Sequence, residues 1–278
     1  MSDTTDKMDG RSFTDTLRQL RARYKLSQLE LAARAGTTQR HVSFIESGRS
    51  IPGRGMVIRL AESLDLSLRD RNDLLLASGY APAYPETSLQ DPTLRPMLTA
   101  LDHVLEGHLP YPAIVVNRFG TLVAANQAFN VFTDGVLREL LEPPVNVYRL
   151  ALHPLGMAPR VRNLAGLVRH IQVGLRHELL RNRTPELASL LEELDQYVPS
   201  SGPETDPENV GFAVPLEFDS PLGTLRMIAT IATFATAVDV TVAELKLEAF
   251  LPADAATASI FAKLHPRLSA DKLSTPHV

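Results

Sequence analysis

Apolar positions in the N-terminal part of the chain recur every three or four residues, which is the period of amphipathic helices. The first apolar stripe is formed by Phe13, Leu17 and Leu20. Ser27 and Glu30 form a capping box that predicts a new helix start, and Gly36 favours the left-handed conformation that ends a helix. Further segments with the same period follow. The pattern predicts an all-α domain of five helices over residues 11–79.

Gly79 and the prolines at positions 82 and 85 interrupt the helical period, so residues 80–91 are predicted to form a linker. A second domain is expected over residues 92–264. Its first part predicts a helix over 92–105, antiparallel strands over 112–117 and 121–125, a short helix capped by Asn126, and helices over 161–180 and 187–194. Unlike the first domain, this part of the chain mixes strands with helices.

From Phe212 onward the apolar period changes to two, as in strands with one buried face. The positions expected to point inward are Phe212, Val214, Leu216 and Phe218, and further strands are predicted over 224–234 and 240–251. The side chains expected to face water on the last strand are Glu244, Lys246 and Glu248. A final helix over 253–264 and a flexible tail over 265–278 complete the chain. These elements predict an α+β, PAS-like domain with an antiparallel sheet of about five strands.

The chain of 278 residues contains no cysteine. Disulfides, thiolate nucleophiles, cysteine-held metal sites and photosensors that rely on a reactive cysteine are therefore excluded. The longest nearly apolar stretch, residues 227–238, is shorter than the about 20 residues that a membrane-spanning helix needs. Residues 1–10 lack the apolar segment of a secretory signal. We therefore expect a cytoplasmic protein with no membrane partner.

Charge is distributed unevenly along the chain. Residues 11–64 carry ten Lys and Arg against four Asp and Glu, a net charge of +6, whereas the whole chain has a net charge of −4. Residues 65–278 are correspondingly acidic, with a net charge of −8. A basic segment joined to an acidic body is typical of a protein in which only one part meets a polyanion.

Two motifs in the basic segment identify a family. LSQLELAARAGTT at residues 26–38 and VSFIESGRSIP at residues 42–52 resemble the XRE family of helix-turn-helix regulators. The resemblance implies binding of double-stranded DNA, with the third helix in the major groove. It also implies a homodimer, because one such domain makes few contacts and paired domains read half-sites about 34 Å apart.

The outward-facing residues of this segment are candidates for DNA contacts. Gln39 and Arg40 can form paired hydrogen bonds with purine edges, and Ser43 lies one turn further on the same face. These three are the candidates for reading bases. The candidates for holding phosphates are Gln28, Thr38 and Arg49, and His41 is a further DNA-binding candidate on the third helix. For each of them, an ordinary solvated side chain or helix cap remains the alternative.

Motifs in the acidic part point to a second family. NVYRLALHPLG at residues 146–156 and DVTVAELKLEAFLPAD at residues 239–254 resemble the MmyB-like ligand-binding domain, over about residues 92–264. The resemblance implies a sensor of a small, mostly apolar effector of the fatty-acid type. Leu164 occupies a position where this family usually has tryptophan, so the identity of the effector does not follow from the resemblance.

Six residues are candidates for holding the effector. Arg149 and His153 could bind an anionic head group, and the apolar wall would be formed by Phe212, Val214, Met227 and Ile231. The alternative is that the two polar residues satisfy buried carbonyls and the apolar ones are ordinary core.

Other functions receive little support from the sequence. The chain has no nucleophile elbow, phosphate-binding loop or zinc-protease motif, so we expect neither an enzyme nor a bound cofactor. His170 and His177 share a helix face but have no evident third metal ligand. A peptide sensor made of helical repeats is contradicted by the strand-rich end. The alternative that stays open is a DNA-binding regulator whose second domain only dimerises.

Overall fold

The structure is a computed structural model that describes residues 12–181, 184–197, 215–234 and 236–270. The chain divides into two compact units. The described part of the first unit comprises residues 12–89 and 236–243, and the second unit begins at residue 90. The first unit therefore takes in most of the segment predicted as a linker, together with a short segment from much later in the chain.

Residues 12–89 form the five helices that the sequence predicts. They are α1 (Phe13–Arg23), α2 (Gln28–Arg34), α3 (Gln39–Glu46), α4 (Arg54–Ser63) and α5 (Leu68–Ala77). The predicted capping box between Ser27 and Glu30 is present at the start of α2, and Gly36 has a φ of 61° in the turn before α3. The five helices enclose one apolar core, whose fully buried side chains include Leu17, Leu31, Ile45, Leu60 and Leu74. This core holds α2 and α3 against each other.

The second unit combines helices with strands. Its helices are α6 (Arg95–Gly107), α7 (Asn130–Thr133), α8 (Val147–Leu152), α9 (Leu164–Arg181), α10 (Pro185–Tyr197) and α12 (Ala255–Ala270). The short α11 (Val240–Ala243), which lies between α10 and α12 in the chain, belongs to the first unit. Its strands are β1 (Ala113–Val116), β2 (Leu122–Ala125), β3 (Leu216–Ser220), β4 (Gly223–Thr233) and β5 (Lys246–Pro252). None of the helices in the described ranges is both long and apolar enough to cross a membrane.

The strands of the described residues form a single five-stranded sheet. Their order is β2-β1-β5-β4-β3, and each neighbouring pair is antiparallel. β5 is the central strand and pairs with β1, although the two are far apart in sequence. The predicted fold class, an all-α domain followed by an α+β domain with an antiparallel sheet, is confirmed.

The prediction of a strand over 240–251 is wrong in its first half. Residues 240–243 form α11, and the strand begins only at Lys246. The cause is Asp239, whose Oδ1 accepts a hydrogen bond from the backbone N–H of Val242 at 3.2 Å, as an N-cap does. The alternation of Val240 and Val242 is also compatible with a strand, but the hydrogen bond from the cap stabilises a helical turn instead.

The role predicted for Asn126 is also wrong. Its side chain makes no capping bond to the helical turn that follows. Instead Nδ2 donates to the carbonyls of Leu105 and Tyr111, at 3.0 and 2.9 Å, and Oδ1 accepts from the N–H of Ala113 at 3.1 Å. Asn126 therefore ties α6 and the start of β1 together, because these buried backbone groups need partners.

The last helix is longer than its sequence pattern predicts. It continues past residue 264 to Ala270, and residues 271–278 of the predicted tail lie outside the described residues.

Earlier in the unit, a cluster of aromatic rings packs against the sheet. Phe132 makes edge-to-face contacts with Phe129, Phe218 and Phe250, with ring centroids 5.2 to 5.7 Å apart.

The late segment of the first unit, residues 236–243, is attached by hydrogen bonds from two backbone N–H groups. The N–H of Val240 donates to the carbonyl of Pro85 at 2.8 Å, and the N–H of Thr87 donates to Oδ2 of Asp239 at 3.1 Å. Val240 and Val242 are buried, and α11 packs against α5. Residues 236–243, from the connection between β4 and β5, are thus a structural part of the unit that contains α1 to α5.

Candidate functional site

Helix α3 presents a polar surface at its N-terminal end. Thr38 caps the helix by accepting a hydrogen bond from the N–H of His41, and Thr38, Gln39 and Arg40 are exposed. Ser43 is partly buried, and Nδ1 of His41 shares a hydrogen bond of 2.9 Å with Oγ1 of Thr37. The opposite face of α3 is anchored in the core by Val42 and Ile45. The outward side chains therefore project from a helix whose position is fixed.

Phe44 holds two arginines over its ring, a feature that the sequence analysis missed. The guanidinium carbons of Arg40 and Arg49 lie 5.1 and 5.9 Å from the ring centroid. Such cation–π contacts restrict the conformations of the two arginine side chains, and their guanidinium groups remain available to a binding partner. The spacing of Arg40 and Phe44, four residues apart on a helix, is the signal that could have identified this contact. Of the other candidates, Gln28 is partly buried and Arg49 is exposed.

Glu46 links α3 to α1 and α2 from inside the first unit. This residue is only 2% exposed, and its carboxylate accepts hydrogen bonds from Nε and Nη2 of Arg21 at 2.6 and 3.0 Å. Nε2 of Gln28 donates a third at 2.8 Å. Burial alone would raise the pKa of Glu46, but the hydrogen bonds from Arg21 and Gln28 and the nearby positive charges outweigh it, so the pKa is lowered. This network fixes the orientation of the helix that carries Gln39 and Arg40.

The second unit contains a cavity of about 210 Å³ on one face of its sheet. It is bounded by β1, β3, β4 and β5 and by residues of α7, α8 and α9. Most of its lining is apolar, including Ile114, Phe129, Phe132, Leu150, Leu216 and Phe250. An apolar cavity of about 150 Å³ holds a molecule the size of benzene, so this one can hold a larger apolar molecule.

Polar side chains lie at one end of this cavity. Lys246 and Glu248 line it from the first half of β5, beside Ile231 of β4, whereas Phe250 lines it further along the strand. The prediction that Lys246 and Glu248 face water is wrong, because both are partly buried in the cavity wall. Burial raises the pKa of Glu248, although the positive charge of Lys246 acts in the opposite direction. Glu244, predicted to face water as well, is partly buried beside Arg118.

Tyr148 of α8 also belongs to the polar end. Its pKa is raised well above the ordinary value of 10.0 by burial and by the negative charges of Glu248 and Glu178. Its ring packs over Gly120, where a Cβ would come within 2.4 Å of two ring carbons and where φ is 75°. The cavity is therefore amphipathic, with titratable groups near the turn between β1 and β2 and apolar groups at the other end.

The residues predicted to hold an effector are not gathered at this cavity. Ile231 lines it, whereas Met227 is buried in the core beside it. Arg149 does not line it, because Nε and Nη2 of Arg149 each donate to the carboxylate of Glu193 at 2.7 Å. His153 accepts a hydrogen bond from the N–H of Leu155 at 3.0 Å and packs against the ring of Tyr197. Phe212 and Val214 lie outside the described residues.

Arg118, in the turn between β1 and β2, lines the cavity and was missed by the sequence analysis. A turn arginine is usually solvated, so no local signal distinguishes it. His170 also lines the cavity. Among the described residues no group of three or more His, Asp or Glu side chains is placed to hold a metal ion.

Comparisons with known proteins agree with these two units. Residues 17–70 match the helix-turn-helix family, and residues 97–264 match the family described as MmyB-like transcription regulator ligand binding domain. A protein of Sinorhizobium fredii (strain NBRC 101917 / NGR234), described as an uncharacterized HTH-type transcriptional regulator, y4dL, is 47% identical over 55 residues. The matched segment covers 20% of this chain and 28% of that protein.

A solved structure is described as that of an RNA-binding light-oxygen-voltage receptor. Its alignment covers 94% of this chain and 64% of the receptor chain. The identity is 14% and the TM-score 0.26, a level at which the overall arrangements are too different to be compared. The family matches are the informative ones, since the longer covers more than half of the chain. The chain belongs to the MmyB-like transcription regulators, with a helix-turn-helix domain followed by a ligand-binding domain.

Proposed function

We propose that this bacterial regulator binds a pseudo-palindromic operator in double-stranded DNA as a homodimer, and that a small, mostly apolar effector of the fatty-acid type modulates its affinity for that operator. The observation that carries the effector half is the largely apolar cavity in the ligand-binding unit. Because the proposed target is DNA, we propose that the protein acts in the bacterial cytoplasm.

The DNA half is supported by the surface of α3. Gln39 and Arg40 are exposed at the N-terminal end of the helix that would enter the major groove. Arginine and glutamine can each make paired hydrogen bonds to a purine edge, so these two residues are the proposed base readers, with Ser43 beside them. Gln28, Thr38 and Arg49 are proposed to hold the phosphates, and His41 is proposed as a further DNA contact. The net charge of +6 over residues 11–64 supplies the long-range attraction.

Replacing Arg40 by alanine is expected to weaken operator binding by about 1 to 3 kcal/mol and to relax specificity at one base position. The reason is the loss of the two hydrogen bonds that the guanidinium would donate to one base. Binding would be measured by fluorescence anisotropy on the operator and on operators with single substitutions. Arg59→Ala is the matched control, because it removes the same charge from an exposed position on α4. Equal losses for the two variants at every base would show that Arg40 does not read sequence.

The homodimer follows from the small contact area of one helix-turn-helix unit. Two copies on one face of DNA would place their α3 helices about one helical turn apart. Lengthening the operator between its half-sites by half a turn is therefore expected to abolish tight binding. Unchanged affinity for that operator would contradict binding by a fixed dimer.

The effector half has a clear rival, in which the second unit only dimerises. The two are separated by releasing any bound small molecule from natively purified protein and identifying it by mass spectrometry. We expect a stoichiometric apolar compound, and its addition to stripped protein is expected to change operator affinity, since an effector acts through different affinities for two states. Operator affinity that does not respond to the released compound, or to fatty acids of several lengths, would favour the rival.

A further inference from the structure

The polar end of the cavity contains a cation, Arg118, that has one unused hydrogen-bond donor group. Arg118 is 11% exposed, and its Nη1 is fully buried with no hydrogen-bond partner in the part of the chain that the structure describes. The turn that carries Arg118 is itself well fixed. Oδ1 of Asn117 accepts hydrogen bonds from the N–H groups of Phe119 and Thr121, both at 2.9 Å. The position of the guanidinium is thus set by the fold.

The neighbours of Arg118 satisfy only part of this group. Nε lies 3.6 Å from the carboxylate of Glu244, which is an ion pair without a close hydrogen bond. On one face the guanidinium stacks on the ring of Phe119, 4.4 Å from its centroid. Neither contact occupies Nη1. A buried charged donor without a partner is costly, so a partner that enters the cavity from outside the chain would gain affinity here.

Glu248, the cavity-lining carboxylate of β5, does not take that role, and burial raises its pKa. Glu248 of β5 lies opposite Ile114, near the start of β1, whereas Arg118 comes after the last residue of β1. The two side chains therefore belong to different positions along the strand pair. Arg118, which carries this unused donor, lines a cavity whose other end is apolar and includes Phe132, Leu216 and Phe250.

We propose that Arg118 anchors the carboxylate of the effector, whose apolar body occupies the end of the cavity that is lined by Phe132 and Phe250. This assignment rests on the proposed effector function and refines it. The planar guanidinium can present its Nη1 edge to a carboxylate oxygen while Glu244 stays on the Nε side. Arg149, the head-group candidate from the sequence, is held by Glu193 and lies outside the cavity lining.

The test compares ligands that share one chain and differ only in the head group. The full chain, stripped of bound lipid, is titrated by calorimetry with decanoate, 1-decanol, methyl decanoate and decylamine. We expect decanoate to bind most tightly. In Arg118→Gln, decanoate affinity is expected to fall about 10- to 100-fold, as for a lost hydrogen bond to a charged group, while affinity for 1-decanol stays nearly unchanged.

Two further variants make the result specific. Arg118→Lys keeps the charge without the planar fork and is expected to retain part of the preference for decanoate. Arg149→Gln is the matched control, because it removes another arginine of the same unit, and its preference for decanoate over 1-decanol is expected to remain.

The outcomes separate this assignment from the function on which it rests. If decanoate and 1-decanol bind the wild-type chain equally well, the effector function stands and the role of Arg118 is overturned. The same holds if Arg149→Gln, and not Arg118→Gln, removes the preference. If none of the four compounds binds the wild-type chain, the proposed apolar effector and the anchor fail together. Should Arg118→Gln fail to fold, the wild-type head-group series and Arg118→Lys still decide.

Discussion

Replacing Phe132 by alanine is expected to lower the free energy of unfolding of the ligand-binding unit by about 3 to 5 kcal/mol. Phe132 is 1% exposed, and its ring contacts three other aromatic rings edge to face. Its removal would lose both the burial of a large apolar side chain and these ring contacts, and the rigid sheet beneath would collapse little into the space. Hydrogen exchange followed by mass spectrometry measures this loss unit by unit.

Phe132→Leu is the control for this prediction, because leucine fills much of the same volume. Its loss is expected to stay below about 1.5 kcal/mol, and peptides of the helix-turn-helix unit should exchange as in the wild type. A loss below about 1 kcal/mol for Phe132→Ala would mean that the aromatic cluster is not tightly packed. Because Phe132 also lines the cavity, an apolar ligand is expected to stabilise Phe132→Ala.

Replacing Glu46 by alanine is expected to destabilise the helix-turn-helix unit by about 3 kcal/mol. The change leaves the guanidinium of Arg21, whose side chain is 17% exposed, without its paired acceptor, and it also removes the acceptor of Gln28. The expected loss is at the lower end of the range for buried pairs because water can reach part of Arg21. It would be measured as faster hydrogen exchange in α1, α2 and α3.

Glu62→Ala provides the matched control, since Glu62 is 52% exposed and lies 3.9 Å from Arg71. Such a surface pair contributes at most about 1 kcal/mol. Equal losses for Glu46→Ala and Glu62→Ala would contradict a buried network at Glu46.

The lowered pKa of Glu46 also gives its contribution a pH dependence. The stabilisation is fully present above the ordinary value of 4.5 and is lost as the pH falls through the lower value of the folded state. Glu46→Gln is therefore expected to show a shallower loss of stability than the wild type on acidification below about pH 4.5. An identical acid profile for both proteins would show that the carboxylate is not stabilised in its charged form.

Local signals explain why the first unit follows its prediction closely. Caps such as Ser27 and Thr38, and the left-handed Gly36, fix helix ends through neighbours only a few residues away. The exposure of Gln39 and Arg40 follows from the same periodicity. The network at Glu46 joins residues 25 and 18 positions apart, so no local pattern contains it.

The second unit shows where such reasoning ends. Alternation on β5 correctly separates two faces, but it cannot distinguish bulk water from the wall of a cavity, so it predicts that Lys246 and Glu248 face solvent. Residues 240–243 alternate as a strand would, and only the cap from Asp239 makes them helical. Arg118 has no sequence signal, because its burial depends on β5 and on Glu244, more than a hundred residues later.

The return of residues 236–243 to the helix-turn-helix unit limits how modular this regulator is. A fragment that ends near residue 89 would lose the acceptor for the N–H of Thr87 and the donor to the carbonyl of Pro85, and it would uncover the face of α5 that α11 packs against. Exchange of DNA-binding domains between related regulators by a single crossover would therefore join mismatched halves. A functional hybrid is expected to require that the segment between β4 and β5 be inherited from the same parent as the recognition helix.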